Sequence, residues 1–212
     1  MTVLHICCNL AGSTVFPQLF EALAAQGLEQ VVFVPEKRAA DLGKNEPRGV
    51  KTIRAMTVRQ SDALFFFRKA QRSVPAIEEQ IDMAGVTLIH AHTLFTDGSI
   101  AARLAKKHGI PYAVTLRYSD IEAIWKYEPH LRPMARRILG GAARVVCLGG
   151  VAKEKVLGWF KGAARDALAD KLRVIPNGLD PAWLDGVPRT AAHTPVRVGF
   201  AGRMNERKRP LD

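Results

Sequence analysis

Seven short apolar runs constrain this chain more than any other feature. They are VLHICC (3–8), QVVFVP (30–35), VKTIRAM (50–56), VTLIHAH (86–92), PYAVTL (111–116), ARVVCL (143–148) and LRVIP (172–176). Each is too short for a buried helix and is bounded by turn residues, so each reads as a strand, several of them buried on both faces. Helical patterns lie between most of them. FPQLFEALAAQG repeats apolar residues at helical spacing and stops at Gly27. DGSIAARLAKKHG does the same, with Asp97 as the expected N-cap, a basic last turn and Gly109 as the stop. Strand–helix–strand alternation predicts an α/β fold with an open, mostly parallel sheet and helices on both faces.

In such a sheet, ligands meet the loops at the carboxyl ends of the strands. Those loops supply the candidate residues. Gly12, in LAGST after the first strand, would let a ligand approach the backbone. His90 and His92 lie two apart and so share one face of a strand. His92 stands at the strand end and is the candidate for ligand contact; His90 reads as a hydrogen-bonded core residue. A metal site needs further ligands that the sequence does not supply, so none is expected. Arg117 and Asp120 sit where the fifth strand opens into a loop. Arg117 suits a carboxylate or phosphate, and the two together also suit a simple loop brace.

Several chemistries are excluded by missing signatures. The first strand is not followed by G-x-G-x-x-G, and neither a P-loop nor paired C-x-x-C is present, which argues against nicotinamide, ATPase and zinc-ribbon functions. The three cysteines fit a reducing compartment as small core residues. No signal peptide or membrane-spanning run is evident, so a cytoplasmic location is expected. Charge is informative once located. Residues 1–100 hold ten basic and ten acidic side chains, so the net charge of +11 falls wholly on residues 101–212. That asymmetry calls for an acidic partner such as phosphate, anionic lipid or nucleic acid. Arg132, Arg136, Arg137 and Arg144 could meet lipid headgroups, as could FFFRKAQR (65–72). Recognition-helix and stacking-aromatic patterns are missing, and no nucleic-acid partner is expected.

After 186 the composition changes. The stretch 187–195 reads as a linker, and 196–212 as a fresh strand and basic turn. Arg203 and Lys208 flank that turn, an arrangement suited to a diphosphate.

The segments RVIPNGLD (173–180), VGFAGRMNERKRPLD (198–212) and IHAHTLFTDGSIAARLAKKHGIPYAVTLRYSD (89–120) resemble retaining glycosyltransferases of the GT-B fold, family 4. The resemblance implies a Rossmann-like acceptor domain at 1–186, a linker at 187–195, and at 196–212 the opening of a nucleotide-sugar-binding domain. It implies that Arg203 and Lys208 bind the diphosphate of a nucleotide-diphosphate sugar donor and that Gly12 faces that donor. No further cofactor is implied. Many members carry histidine near the reacting sugar where this chain has Arg117, while some branches carry arginine; the glycine that often follows is Tyr118 here. His92, Arg117 and Asp120 become the acceptor-side catalytic candidates. The expected function is transfer of a sugar, with retention, to a sugar or lipid-linked acceptor, at the inner face of the membrane, with the 212 residues inactive alone. A single-domain protein binding an anionic small molecule is the alternative, ahead of a nucleic-acid binder.

Overall fold

All seven apolar runs are strands of one sheet in the computed structural model, which describes residues 2–63 and 67–179. They are β1 (Thr2–Ile6), β2 (Glu29–Pro35), β3 (Lys51–Ala55), β4 (Val86–Ala91), β5 (Tyr112–Thr115), β6 (Arg144–Cys147) and β7 (Leu172–Val174). The order is β3-β2-β1-β4-β5-β6-β7, and every pairing is parallel. The main helices are α1 (Val15–Ala25), α2 (Phe67–Gln80), α3 (Thr96–His108), a short α4 (Trp125–Tyr127), α5 (Arg132–Gly141), α6 (Gly150–Leu157) and α7 (Ala163–Lys171). A π-helical turn, Ser119–Ile124, leads into α4. The chain crosses from β3 to β4, which lies on the other side of β1. The topological switch point therefore falls between β1 and β4.

The alternation of side chains along each strand sorts the core into two layers. Leu4 and Ile6 of β1 and Phe33 of β2 join α2, α3 and α5 through Ile77, Ile100, Leu104 and Ile138. Val32 and Val34 point the other way, onto Phe16 and Phe20 of α1. His5 shares that second face, its ring 4.9 Å from Phe20.

Most strands are shorter than the apolar runs that mark them. β1 stops at Ile6 because Cys7 and Cys8 turn into the following loop, where the Cys8 amide is bonded by a side chain from α3. Asp97 is that side chain, so it is not the N-cap of α3. The helix starts at Thr96, and Thr93 Oγ1 accepts the Asp97 amide instead. Gly109 does end α3, at φ 71°, donating its N–H to Ala105 O. Gly109→Ala puts a Cβ into the left-handed region, and a loss of about 1 kcal/mol is expected, read as a fall of about 2–4 °C in Tm.

The basic stretch around α5 is partly committed to packing. Arg132 and Arg136 donate to the carbonyls of Trp125 and Trp159, and both guanidiniums lie 5.3 Å from the Trp125 ring. Trp125 in turn stacks on Trp159 at 3.8 Å. Arg137 and Arg144 remain exposed. In the other basic segment Arg72 pairs with buried Asp62.

Candidate functional site

Three loops meet at the carboxyl edge of the sheet: 7–14 after β1, 92–95 after β4 and 116–118 after β5. Two buried carboxylates hold them together. Asp97 Oδ1 accepts the Cys8 N–H at 3.1 Å, joining the β1 loop to α3. Asp120 Oδ2 accepts the N–H of Leu94 at 3.1 Å and of Arg117 at 2.8 Å, joining the β4 and β5 loops. Both are essentially without exposed surface. Burial pushes Asp97 up to about 7 and Asp120 up to about 6, although the backbone donors pull the other way. Asp120 thus braces the loop through Arg117's backbone and not through its guanidinium. Asp97 was seen in the sequence only as a cap, because nothing local shows that its partner lies 89 residues away.

Arg117 is half-buried and gripped from three directions. Nε donates to His92 O at 3.2 Å, Nη1 donates to Asn177 Oδ1 at 2.9 Å, and the guanidinium lies 4.7 Å from the Phe16 ring centroid. No carboxylate forms an ion pair with it among the described residues, and no acceptor there is bonded to Nη2. Desolvation lowers its pKa from the ordinary arginine value, which leaves it charged at neutral pH. A guanidinium fixed by neutral groups attracts an anionic oxygen. Asn177, in the PNG segment, is a site residue that its sequence context marked only as a turn.

His92 is fully buried beneath this arginine. Phe16 and Phe20 meet its ring edge-on at 5.6 and 5.2 Å. It reaches the crevice through its carbonyl, which holds Arg117, and not through an accessible ring. His5, the strand partner of His90 across β1 and β4, completes a cluster that sequence reading missed. His5 Nδ1 and His92 Nε2 are 3.1 Å apart, and His90 Nε2 is 2.8 Å from Thr115 Oγ1. Either tautomer of the His5–His92 bond leaves His5 Nε2 and His92 Nδ1 buried without hydrogen-bond partners among the described residues. Burial lowers His5 to about 3, His90 to about 4 and His92 well below its usual range, so all three rings are neutral. One ring nitrogen from each lies within 4.8 Å of the others. The three imidazoles thus stand close enough together to form a candidate three-ligand set, with His5 as the further ligand that the segment around His90 and His92 does not show.

Two cavities open at this edge. One, of about 330 Å³, is lined by Cys8, Asn9, Ala11 and Gly12 of the β1 loop together with Glu36, Lys37, Lys69 and Thr96. Gly12 is exposed there, and a Cβ added to it would meet nothing within 4 Å, so the fold itself does not demand glycine. The other, of about 510 Å³, lies between Arg117, the π-helical turn and the start of α6, with Leu116, Ile121, Leu148 and Val151 as its apolar wall. π-turns recur at functional positions because they re-aim side chains within a helix. The fold thus places Gly12 and Arg117 beside cavities and Asp120 and His92 beneath them. Arg203 and Lys208, the linker at 187–195 and the strand at 196–201 lie outside the described residues.

The family model described as Glycosyltransferase Family 4 matches residues 12–183. No curated protein matches the chain. Among solved structures, it is similar to Anabaena Alr3699/HepE in complex with UDP-glucose, at 15% identity and a TM-score of 0.59, over 85% of this chain and 44% of that one. A Rickettsia africae glycosyltransferase aligns at 14% identity and a TM-score of 0.52, over 87% and 45%. The UDP-GlcNAc 2-epimerase of Neisseria meningitidis, bound to UDP-GlcNAc, aligns at 15% and 0.53, over 84% and 47%. The chain spans less than half the length of each of these structures.

Proposed function

The chain belongs to glycosyltransferase family 4, and on that premise we propose that it forms the acceptor side of a sugar transferase using a nucleotide-diphosphate sugar. The observation that carries this reading is Arg117: a half-buried cation at the sheet's carboxyl edge, fixed by a carbonyl, an amide and an aromatic ring, with no carboxylate in an ion pair with it among the described residues. In the transfer, the bond from the anomeric carbon to the diphosphate oxygen breaks, a bond to the acceptor oxygen forms, and the acceptor's proton passes to the departing diphosphate. Negative charge develops on the departing diphosphate, and the transition state has oxocarbenium character. A fixed guanidinium stabilises such charge without reorganising.

The remaining roles follow from placement. Gly12 borders the polar cavity and leaves room for a substrate against the β1 loop. His92 and Asp120 are positioning residues: one holds the Arg117 side chain through its carbonyl, the other holds the Arg117 backbone. Retention of anomeric configuration, and diphosphate binding by Arg203 and Lys208 in a donor-binding unit opening at 196–212, belong to the same reading. So does a cytoplasmic station against anionic lipid, for which exposed Arg137 and Arg144 are the available contacts.

Asn177→Ala removes one of the three grips on Arg117 and keeps its charge. Transfer is expected to fall less than tenfold, mostly in kcat, in steady-state assays with saturating donor. A mixture of UDP-, GDP- and ADP-sugars offered with and without sugar acceptors tests the reading as a whole. Acceptor-dependent product supports it. Acceptor-independent epimerisation of the donor, the chemistry named for one of the structural neighbours, would overturn it.

A further inference from the structure

We propose that Asn45 is a positioning residue for the transfer, a clamp that fixes the β1 loop where substrate meets it. The inference rests on the acceptor-side reading and adds a residue to it. Asn45 lies in the connection 36–50 between β2 and β3. Its Nδ2 donates to Leu10 O at 3.2 Å and to Ala11 O at 3.0 Å. Those carbonyls belong to the turn Leu10–Gly12, which brings Gly12 to the cavity of about 330 Å³. The same cavity is lined by Pro35, Glu36 and Asp41, from the strand end and connection that lead to Asn45. One side chain thus ties two walls of the cavity together.

The backbone singles this side chain out. Asn45 stands at φ 53°, in the left-handed region, and is the one non-glycine residue at positive φ among the described residues. Gly43 and Gly49 fill the other two such positions of the same connection, and glycine is the residue that takes them without steric cost. Asparagine tolerates this backbone and also carries an amide with two N–H donors. Both donors meet carbonyls here; a carboxylate in the same place would meet them with its oxygens. The clamp is itself well anchored. Arg54 on β3, its side chain nearly without exposed surface, pairs with Glu36 and Glu46 and donates to Asp41 O at 3.2 Å and to Lys44 O at 2.6 Å. The Arg48 N–H donates to Glu21 of α1 at 2.8 Å. The clamped turn runs directly into α1, whose Phe16 ring lies 4.7 Å from the Arg117 guanidinium. Asn45 therefore fixes the loop at Gly12 and, through the start of α1, the ring on which the site's cation rests.

The test compares the full-length protein with its Asn45→Gly and Asn45→Asp variants, using whichever of the UDP-, GDP- and ADP-sugars labels a sugar acceptor in the parent. Asn45→Gly keeps the left-handed backbone and removes both donors. It is expected to raise the KM of one substrate, the one seated on the β1 loop, and to lower kcat/KM for it about tenfold. Hydrogen–deuterium exchange over residues 9–15 is expected to quicken about tenfold while α3 is unchanged. Asn45→Asp sets a carboxylate oxygen against two carbonyl oxygens and is expected to cost more on both readouts. If Asn45→Asp does not fold, Asn45→Gly carries the test. A merely structural asparagine would lower Tm and the active fraction, and hence kcat, while both KM values stay in place, which overturns the clamp. A freed loop with kcat/KM unaltered, or a kinetic loss with exchange over 9–15 unchanged, overturns it as well. In an active parent these results leave the transferase reading intact. A parent that labels no acceptor from any of these donors removes that reading and the clamp with it.

Discussion

Arg117→Gln is expected to reduce sugar transfer by about a hundred- to thousandfold, in the range seen when one fixed charge-stabilising donor is removed. The loss should fall on kcat more than on KM, because an interaction with developing charge strengthens only in the transition state. Glutamine keeps a donor long enough to reach His92 O but has no charge to offer a diphosphate. Stability should change little, since the loops are held by the Asp120 carboxylate on the Arg117 backbone and not by the guanidinium. Steady-state kinetics and thermal melts on the same preparation separate these effects. A large fall in Tm with kcat retained would make Arg117 a structural residue and leave the crevice without its principal cation.

The second large effect is on stability against pH. His5, His90 and His92 are buried and neutral, with folded pKa values depressed to about 3, about 4 and well below 6.5. In the unfolded chain each titrates near 6.5. Below that pH the unfolded state binds up to three protons that the folded state refuses, so the histidine contribution is complete above pH 6.5 and is lost as pH falls toward 4. Asp97 and Asp120 act in the opposite sense. Their folded values, about 7 and about 6, lie above the unfolded carboxylate range. Their contribution is full below about pH 4 and is lost as pH rises through those values. Between pH 4 and 6 three histidines oppose two aspartates, and these five groups together contribute a slope of about 1.4 kcal/mol of stability lost per unit of acidification, to which the lowered carboxyls of Asp62 and Glu78 add in the same sense. Asp97→Asn removes one opposing carboxylate and keeps an acceptor for the Cys8 amide. It should steepen that slope to about 3 kcal/mol per unit, measured by urea unfolding from pH 4 to 6. A slope of zero or opposite sign in the parent chain would mean that the histidines are not buried in neutral form.

Much of the architecture was legible because it depends on local periodicity. Each of the seven apolar runs marks one strand, and Gly27 and Gly109 stand at the ends of α1 and α3, both at positive φ. The crevice loops were also legible, since strand ends and the parallel arrangement together say where ligands meet the sheet. What local patterns could not convey was which groups meet across it. His5 looked like one polar residue in an apolar strand until the sheet order put β1 beside β4 and paired it with His90. Asp97 stood at the head of a helix in the place of a cap, but long-range packing turned it toward Cys8. His92 alternates correctly for a strand-end ligand residue, yet the aromatic side chains of α1 cover it, and nothing in its own segment reports their position. Asn177 belongs to a turn motif, and its bond to Arg117 spans 60 residues.

The most direct measurement is the fate of a radiolabelled sugar supplied as nucleotide-diphosphate donor to the protein isolated from its native source, with and without Arg117→Gln. Acceptor-linked label that drops about a hundredfold in the variant is the expected result. Donor left intact with every nucleotide sugar and acceptor tried, or transfer that proceeds equally well without the arginine, would contradict the assignment of this crevice to sugar transfer.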